Sequence, residues 1–208
     1  MKSGYAFTAI ALAAVLSACG SKDVTKEQAK GLINDYFGKN PVTHPFATGM
    51  ASMGMVTDKE YFDTPGGKYQ KALEADGLIT IVPKGKIYNP ADHKQYINAL
   101  DIAMTDKGKT FVTGKPNVGP PPPPPQWPTV YENAVFCYKE VVDLSDVSTT
   151  EDTANADYTW RAAKPTPFAD DFHKTDPTDK TTCNPAVVSN ASATFVRKGE
   201  VWTLTVAQ

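Results

Sequence analysis

Apolar positions recur at helical spacing first between Val24 and Phe37, where Ala29, Leu32, Ile33, Tyr36 and Phe37 share one face. Thr25 with Gln28 three places on forms a capping box at the start, and Gly38 with Pro41 ends the segment. The stretch 38–57 loses this period. Pro41, Pro45, Gly49 and Gly54 interrupt it, so an irregular, methionine-rich loop is expected, with Met50, Met53 and Met55 filling gaps or offering an adaptable surface. A second helix is predicted over Lys68–Ala75, after Gly66-Gly67 and before Asp76-Gly77. Leu78–Val82 has the pattern of a short buried strand, Lys84-Gly85-Lys86 of a turn, Ile87-Tyr88 of the return, and Ala99–Met104 of the partner strand. Ala91–Asn98 is polar and ambiguous, and Thr105 is placed to cap a last short helix, Asp106–Val112. Beyond residue 128 the period changes from helical to alternating. Strands are predicted at 134–142, extending toward Val147, at Ala156–Ala163, at Ala191–Arg197 and at Glu200–Val206, the last two joined by a tight turn at Lys198-Gly199.

The first residues follow a different rule. Lys2 precedes an apolar run, Tyr5–Leu16, too short for the roughly 20 residues that a membrane-spanning helix needs. Small residues follow, and then Cys19, in the order Leu16-Ser17-Ala18-Cys19. A short apolar segment before small residues is the pattern of a cleaved export signal, here residues 1–18. The four residues resemble the lipobox of bacterial lipoproteins processed by signal peptidase II. The resemblance implies cleavage before Cys19, a diacylglyceryl group on its sulfur and a further acyl chain on its amine, and several chains together anchor stably. Gly20, where an aspartate would often mark retention at the inner membrane, implies the outer membrane. An ordinary signal peptide with an incidental cysteine is the alternative.

Two short motifs carry a second resemblance. Ala72-Leu73-Glu74-Ala75-Asp76-Gly77-Leu78-Ile79 resembles the end of a winged-helix recognition helix, and Ala103-Met104-Thr105-Asp106-Lys107-Gly108-Lys109 the step after the wing in many bacterial regulators. The likeness covers roughly residues 24–114, in a domain expected to run 24–118, and implies a winged-helix-like α/β fold. It does not extend to DNA. The helix that would enter the groove carries Lys68, Lys71 and Glu74 rather than a basic comb, and residues 24–118 hold 12 lysines against 10 acidic residues. Nucleic acid is therefore not an expected partner.

Pro120–Pro125 separates the halves, and 119–128 is expected to be a polyproline II spacer or a strap packed locally near Trp127. Two cysteines remain after Cys19, namely Cys137 and Cys183, and an even pair in an oxidising compartment is expected to form a disulfide. The formal net charge of −2 argues against polyanion steering. Asp170-Asp171-Phe172-His173 with Asp176 and Asp179 makes an acidic stretch, expected to be a solvated loop because its spacing matches no calcium loop. His44, His93 and His173 are scattered without zinc-ligand spacing, and neither a nucleophile elbow nor a phosphate loop is present. No catalytic residue, metal or cofactor is nominated.

The expected molecule is α+β: a winged-helix-like domain (24–118), a Pro-rich linker (119–128) and a small antiparallel β domain (129–208). The expected role is a non-enzymatic binding or assembly module in the cell envelope, held to the membrane by its lipid anchor and serving an envelope protein partner. Small-ligand binding through the methionine-rich loop is the alternative, and a cryptic envelope hydrolase ranks below it.

Overall fold

The computed structural model describes residues 23–54, 57–88, 96–114, 117–118, 130–179 and 182–207. The expected export leader and lipobox-like motif with Cys19, most of the ambiguous stretch before Asn98, Met55, His93 and the proline run with Trp127 lie outside the described residues.

The chain is mixed α and β and is dominated by an antiparallel sheet. Helix α1 (Lys26–Lys39) starts at the expected capping box: Gln28 N–H donates to Thr25 Oγ1, and Thr25 N–H donates to Gln28 Oε1. Its apolar face buries Ala29, Ile33 and Phe37.

The next segment corrects the sequence reading. Residues 42–54 are not a loop but strand β1 (Val42–Gly54). Its prolines and glycines fit because the strand changes partner along its length. Val42–Thr48 pairs with β5 (Val130–Leu144), and Gly49–Gly54 pairs with β3 (Tyr96–Met104). Pro45 lies in the half with one ladder, where a missing N–H can fall on the unpaired edge. Gly49, at φ 91°, stands at the handover.

Two helices follow. Neither the short α2 (Asp58–Phe62), with its own Thr57–Glu60 capping box, nor the early start of α3 (Pro65–Ala75) was predicted. Gly66 and Gly67 are inside α3 rather than before it. At Gly67 a Cβ would meet the α2 backbone at Tyr61 and Phe62, so the glycine permits that approach. Strand β2 (Ile79–Tyr88) runs through the expected turn. Lys84-Gly85-Lys86 is a β-bulge with a register shift between Pro83 and Gly85, and Ile87-Tyr88 continues the strand. Its antiparallel partner is β3, as expected. Thr105 caps α4 (Asp106–Lys109), which stops short of the predicted Val112. β4 (Asn117–Val118) adds a short pairing to β5.

The C-terminal half follows its alternation. β6 (Ser148–Thr150), β7 (Thr153–Ala163), β8 (Val188–Lys198) and β9 (Val201–Ala207) are antiparallel, and β8–β9 is the expected hairpin. Between β7 and β8 the acidic stretch is helix α5 (Pro167–Thr175), not a loop. Its burial of Phe168 and Ala169 against α3 and the sheet is the tertiary reason.

The sheet order is β2-β3-β1-β5-β7-β8-β9. The 15-residue β5 joins the two halves: residues 130–137 pair with β1, and 138–144 with β7. Ala134–Cys137 is buried at four successive positions, as a strand covered on both faces must be. The regions expected as separate units, 24–118 and 129–208, therefore share one sheet. They also share both cores. One core joins Leu73, Leu78 and Ile102 to Phe136 and Phe168. The other joins Ile33 and Phe37 of α1 to Val141, Tyr158 and Phe195. Within residues 24–118, α1 packs on β5 and β9, while α3 packs on α2 and α5.

Candidate functional site

Cys137 and Cys183 are disulfide-bonded, with Cα atoms 5.8 Å apart. Cys137 is on β5 and wholly buried, and Cys183 is on the loop before β8. The bond pulls that loop over the end of the sheet face on which α1 lies. A groove of about 410 Å³ remains there. Its floor is made by side chains that alternate along the strands: Cys137 and Lys139 on β5, Trp160 and Ala162 on β7. Cys183, Asn184 and Val187 form one wall, and Val42 to His44 at the start of β1 form another.

Lys139 is the unusual member. In Cys137-Tyr138-Lys139-Glu140-Val141 it occupies the position that faces inward with Cys137 and Val141. It is half-buried. Its Nζ lies 4.2 Å from the centroid of Trp160 and 5.6 Å from that of Phe37, whose rings are 6.3 Å apart. Among the described residues no carboxylate comes within ion-pair distance of it. Burial pulls the ammonium's pKa below the usual lysine range. Glu140, the next residue, does not compensate, because its Oε1 accepts from Arg161 Nε at 2.7 Å.

Lys139 also borders a second depression of about 450 Å³, between α1 and the β5 edge, together with Lys30, Asn34, Glu140 and Lys164. Asn34 closes that edge, its Oδ1 accepting from Val141 N–H at 3.0 Å. Among the described residues, two of the three non-glycine residues with positive φ flank this region: Lys164 at 48° and Cys183 at 54°. Such conformations cost free energy and persist only where the surroundings impose them. A larger depression of about 580 Å³, over Asp143, Asp157, Asn190 and Ser192, is a shallow dish of exposed polar side chains on an open part of the sheet and presents no converging groups.

The other sequence-derived candidates disperse. Met50 is a partly buried residue of β1. On α5, Asp171 is 1% exposed, pairs through Oδ1 with Lys174 Nζ at 2.7 Å, and leaves Oδ2 without a partner among the described residues. Burial, and secondarily the charge of Asp171, push the Tyr69 phenol far above its usual value; the Tyr69 hydroxyl donates to Phe168 O at 3.1 Å. His44 lies tilted against Phe136, centroids 5.0 Å apart, and His173 lies edge-on to Phe172. Sequence reasoning found the disulfide and missed Lys139 and Trp160. The available signal was a lysine at the inward parity of a strand otherwise buried on that face. Comparison with protein-family models, with curated proteins and with solved structures finds no match to this chain.

Proposed function

We propose that the protein is an exported lipoprotein, held to the cell envelope through Cys19, that acts as a non-enzymatic binding or assembly module. The observation that carries this reading is the buried Cys137–Cys183 bond, because structural disulfides persist in oxidising compartments and not in a reducing cytosol. The Leu16–Cys19 motif supplies the tether, and Gly20 favours the outer membrane. The leash is short. Val24 is 3% exposed within the core beneath α1, so only Gly20–Asp23 separate the packed body from Cys19. That chain reaches about 17 Å at full extension, which holds the body close to the lipid surface. The Lys139 groove lies toward the other end of α1, some 21 Å along a 14-residue helix. A short tether that leaves a groove at the far end suits encounters with an envelope protein partner, at a local concentration that the tether raises. In this reading the α3–β2–β3 region is a winged-helix-like framework turned to structural use.

Small-ligand binding is the second reading, favoured by the groove and the half-buried ammonium on its floor. Two measurements test the proposal. The intact mass of membrane-extracted protein is expected to show a lipidated chain beginning at Cys19, and an unmodified residue there would end the lipoprotein reading. Cross-linking in intact cells is expected to capture a specific envelope partner with the native protein and to lose it with Cys19→Ser. A partner captured equally by both forms would remove the role of the tether.

A further inference from the structure

We propose that the two depressions flanking Lys139 form one site for a small carboxylate ligand with an apolar or aromatic body. Lys139 and Lys164 take the carboxylate, and Trp160 and Val187 cover the body. The inference deepens the binding-module reading and rests on it.

The geometry supplies three independent grounds. First, Lys139 is a half-buried cation whose described contacts are ring faces, and a ring face leaves the directional N–H donors of an ammonium available. Second, the local charge is uncompensated. Lys30, Lys139 and Lys164 border the depression beside α1, and the one carboxylate that lines it among the described residues, Glu140, is engaged by Arg161. Third, the adjoining groove offers apolar surface of a size suited to a small ring: Trp160, Ala162, Val42 and the disulfide, with Asn184 and Ser189 at its polar margin. A cationic end beside an aromatic floor selects an amphipathic anion over a bare inorganic one, since the latter has no use for the floor.

The two positive-φ residues fit this assignment. Lys164 at φ 48° puts a lysine where glycine would be free of strain, and Cys183 at φ 54° turns the wall of the groove. Carboxylates of this kind come from two sources, a free aromatic acid or the C-terminus of a peptide.

The test is a nitrogen–proton NMR titration of the full-length protein with phenylacetate, with phenylethylamine as the charge control. The dipeptide Ala-Phe, acetylated at its N-terminus, is used with a free and with an amidated C-terminus. The expected result is saturable shifts at Lys139, Trp160, Asn184 and Ser189 with phenylacetate and none with the amine. A response to the free-acid dipeptide but not to its amide assigns peptide C-termini to the site as well, and a response to phenylacetate alone restricts it to free acids. Lys139→Met keeps an apolar stem on Trp160 and removes the charge; it is expected to weaken phenylacetate binding about tenfold or more. Lys164→Gly is the second variant, chosen because glycine suits the positive φ, and it is expected to fold at least as well and to bind severalfold more weakly. Equal binding of acid and amine, shifts that lie elsewhere, binding unmoved by either substitution, or no saturable response to any carboxylate would overturn the site. In that event a Cys19-dependent cross-linked partner would still leave the tethered-module reading standing.

Discussion

Replacing Gly108 by alanine tests the closest backbone approach between two elements of the N-terminal half. A Cβ at 108 would sit under 3.0 Å from the carbonyl oxygen of Leu78, 3.0 Å from its carbonyl carbon and 3.2 Å from Met104 Sδ. The methionine can swing away, but the carbonyl cannot. Leu78 O accepts from Thr105 N–H at 3.0 Å and from Thr105 Oγ1 at 3.1 Å, and Leu78 N–H donates to Leu73 O at 2.9 Å. Relieving the clash must therefore move α4 off the start of β2 or loosen those bonds. Overpacking costs about 1–3 kcal/mol, and each bond weakened about 1 more. Alanine's better helix propensity returns up to about 1 kcal/mol. The net expectation is destabilisation by roughly 2–4 kcal/mol, a fall in melting temperature of about 5–15 °C for a chain of this size. Gly31→Ala is the matched control. Gly31 is exposed in α1 with nothing within 4 Å of its added Cβ, so the same substitution should stabilise by about 0.5–1 kcal/mol. Urea unfolding followed by tryptophan fluorescence measures both. A Gly108→Ala midpoint equal to or above wild type, with an unchanged denaturant slope, would refute the claim that glycine is there for the contact.

Two further outcomes follow from other parts of the molecule. Cys137→Ser and Cys183→Ser should each lower stability by about 4 kcal/mol under oxidising conditions, from the closure entropy of a bond spanning 46 residues, with the double variant no worse than either single; two single variants of widely different stability would show that something other than the shared bond is being lost. At alkaline pH the folded protein holds the Tyr69 phenolic proton that the unfolded chain releases near pH 10, so unfolding releases protons and stability falls as pH rises beyond that value. Tyr69→Phe should flatten this decline in unfolding midpoints measured from pH 9 upward, and an identical slope in the variant would assign the decline to other groups.

Much was legible locally. The capping box of α1, the N-cap of α4, the alternation of β7 to β9 and the β8–β9 hairpin each depend on residues a few positions apart, whose hydrogen bonds form within the segment. The Cys137–Cys183 pairing was legible for a different reason, since with Cys19 set aside as the expected lipid attachment point, counting cysteines leaves one intramolecular choice. The misreadings share a cause. Pro45 and Gly49 speak against a strand only while partners are ignored. Once β5 takes one half of β1 and β3 the other, the missing donor and the positive φ cost little. Gly85 looks like a turn until Ala99 stands opposite as the bulge partner. The acidic spacing of 170–176 hid α5, whose helix is set by Phe168 and Ala169 finding a core built from both halves of the chain.

The sequence by itself therefore determined the N-caps of α1 and α4, the C-terminal strands β7 to β9 and the disulfide pair, because these rest on short-range hydrogen bonding, periodicity and covalent chemistry. The tertiary structure alone decided that both halves share one sheet through β5, that Lys139 is brought between Trp160 and Phe37, and that a groove remains beside the disulfide. Those features are contacts between residues far apart in the chain, and no local pattern encodes the partner that a strand edge or a half-buried charge will meet.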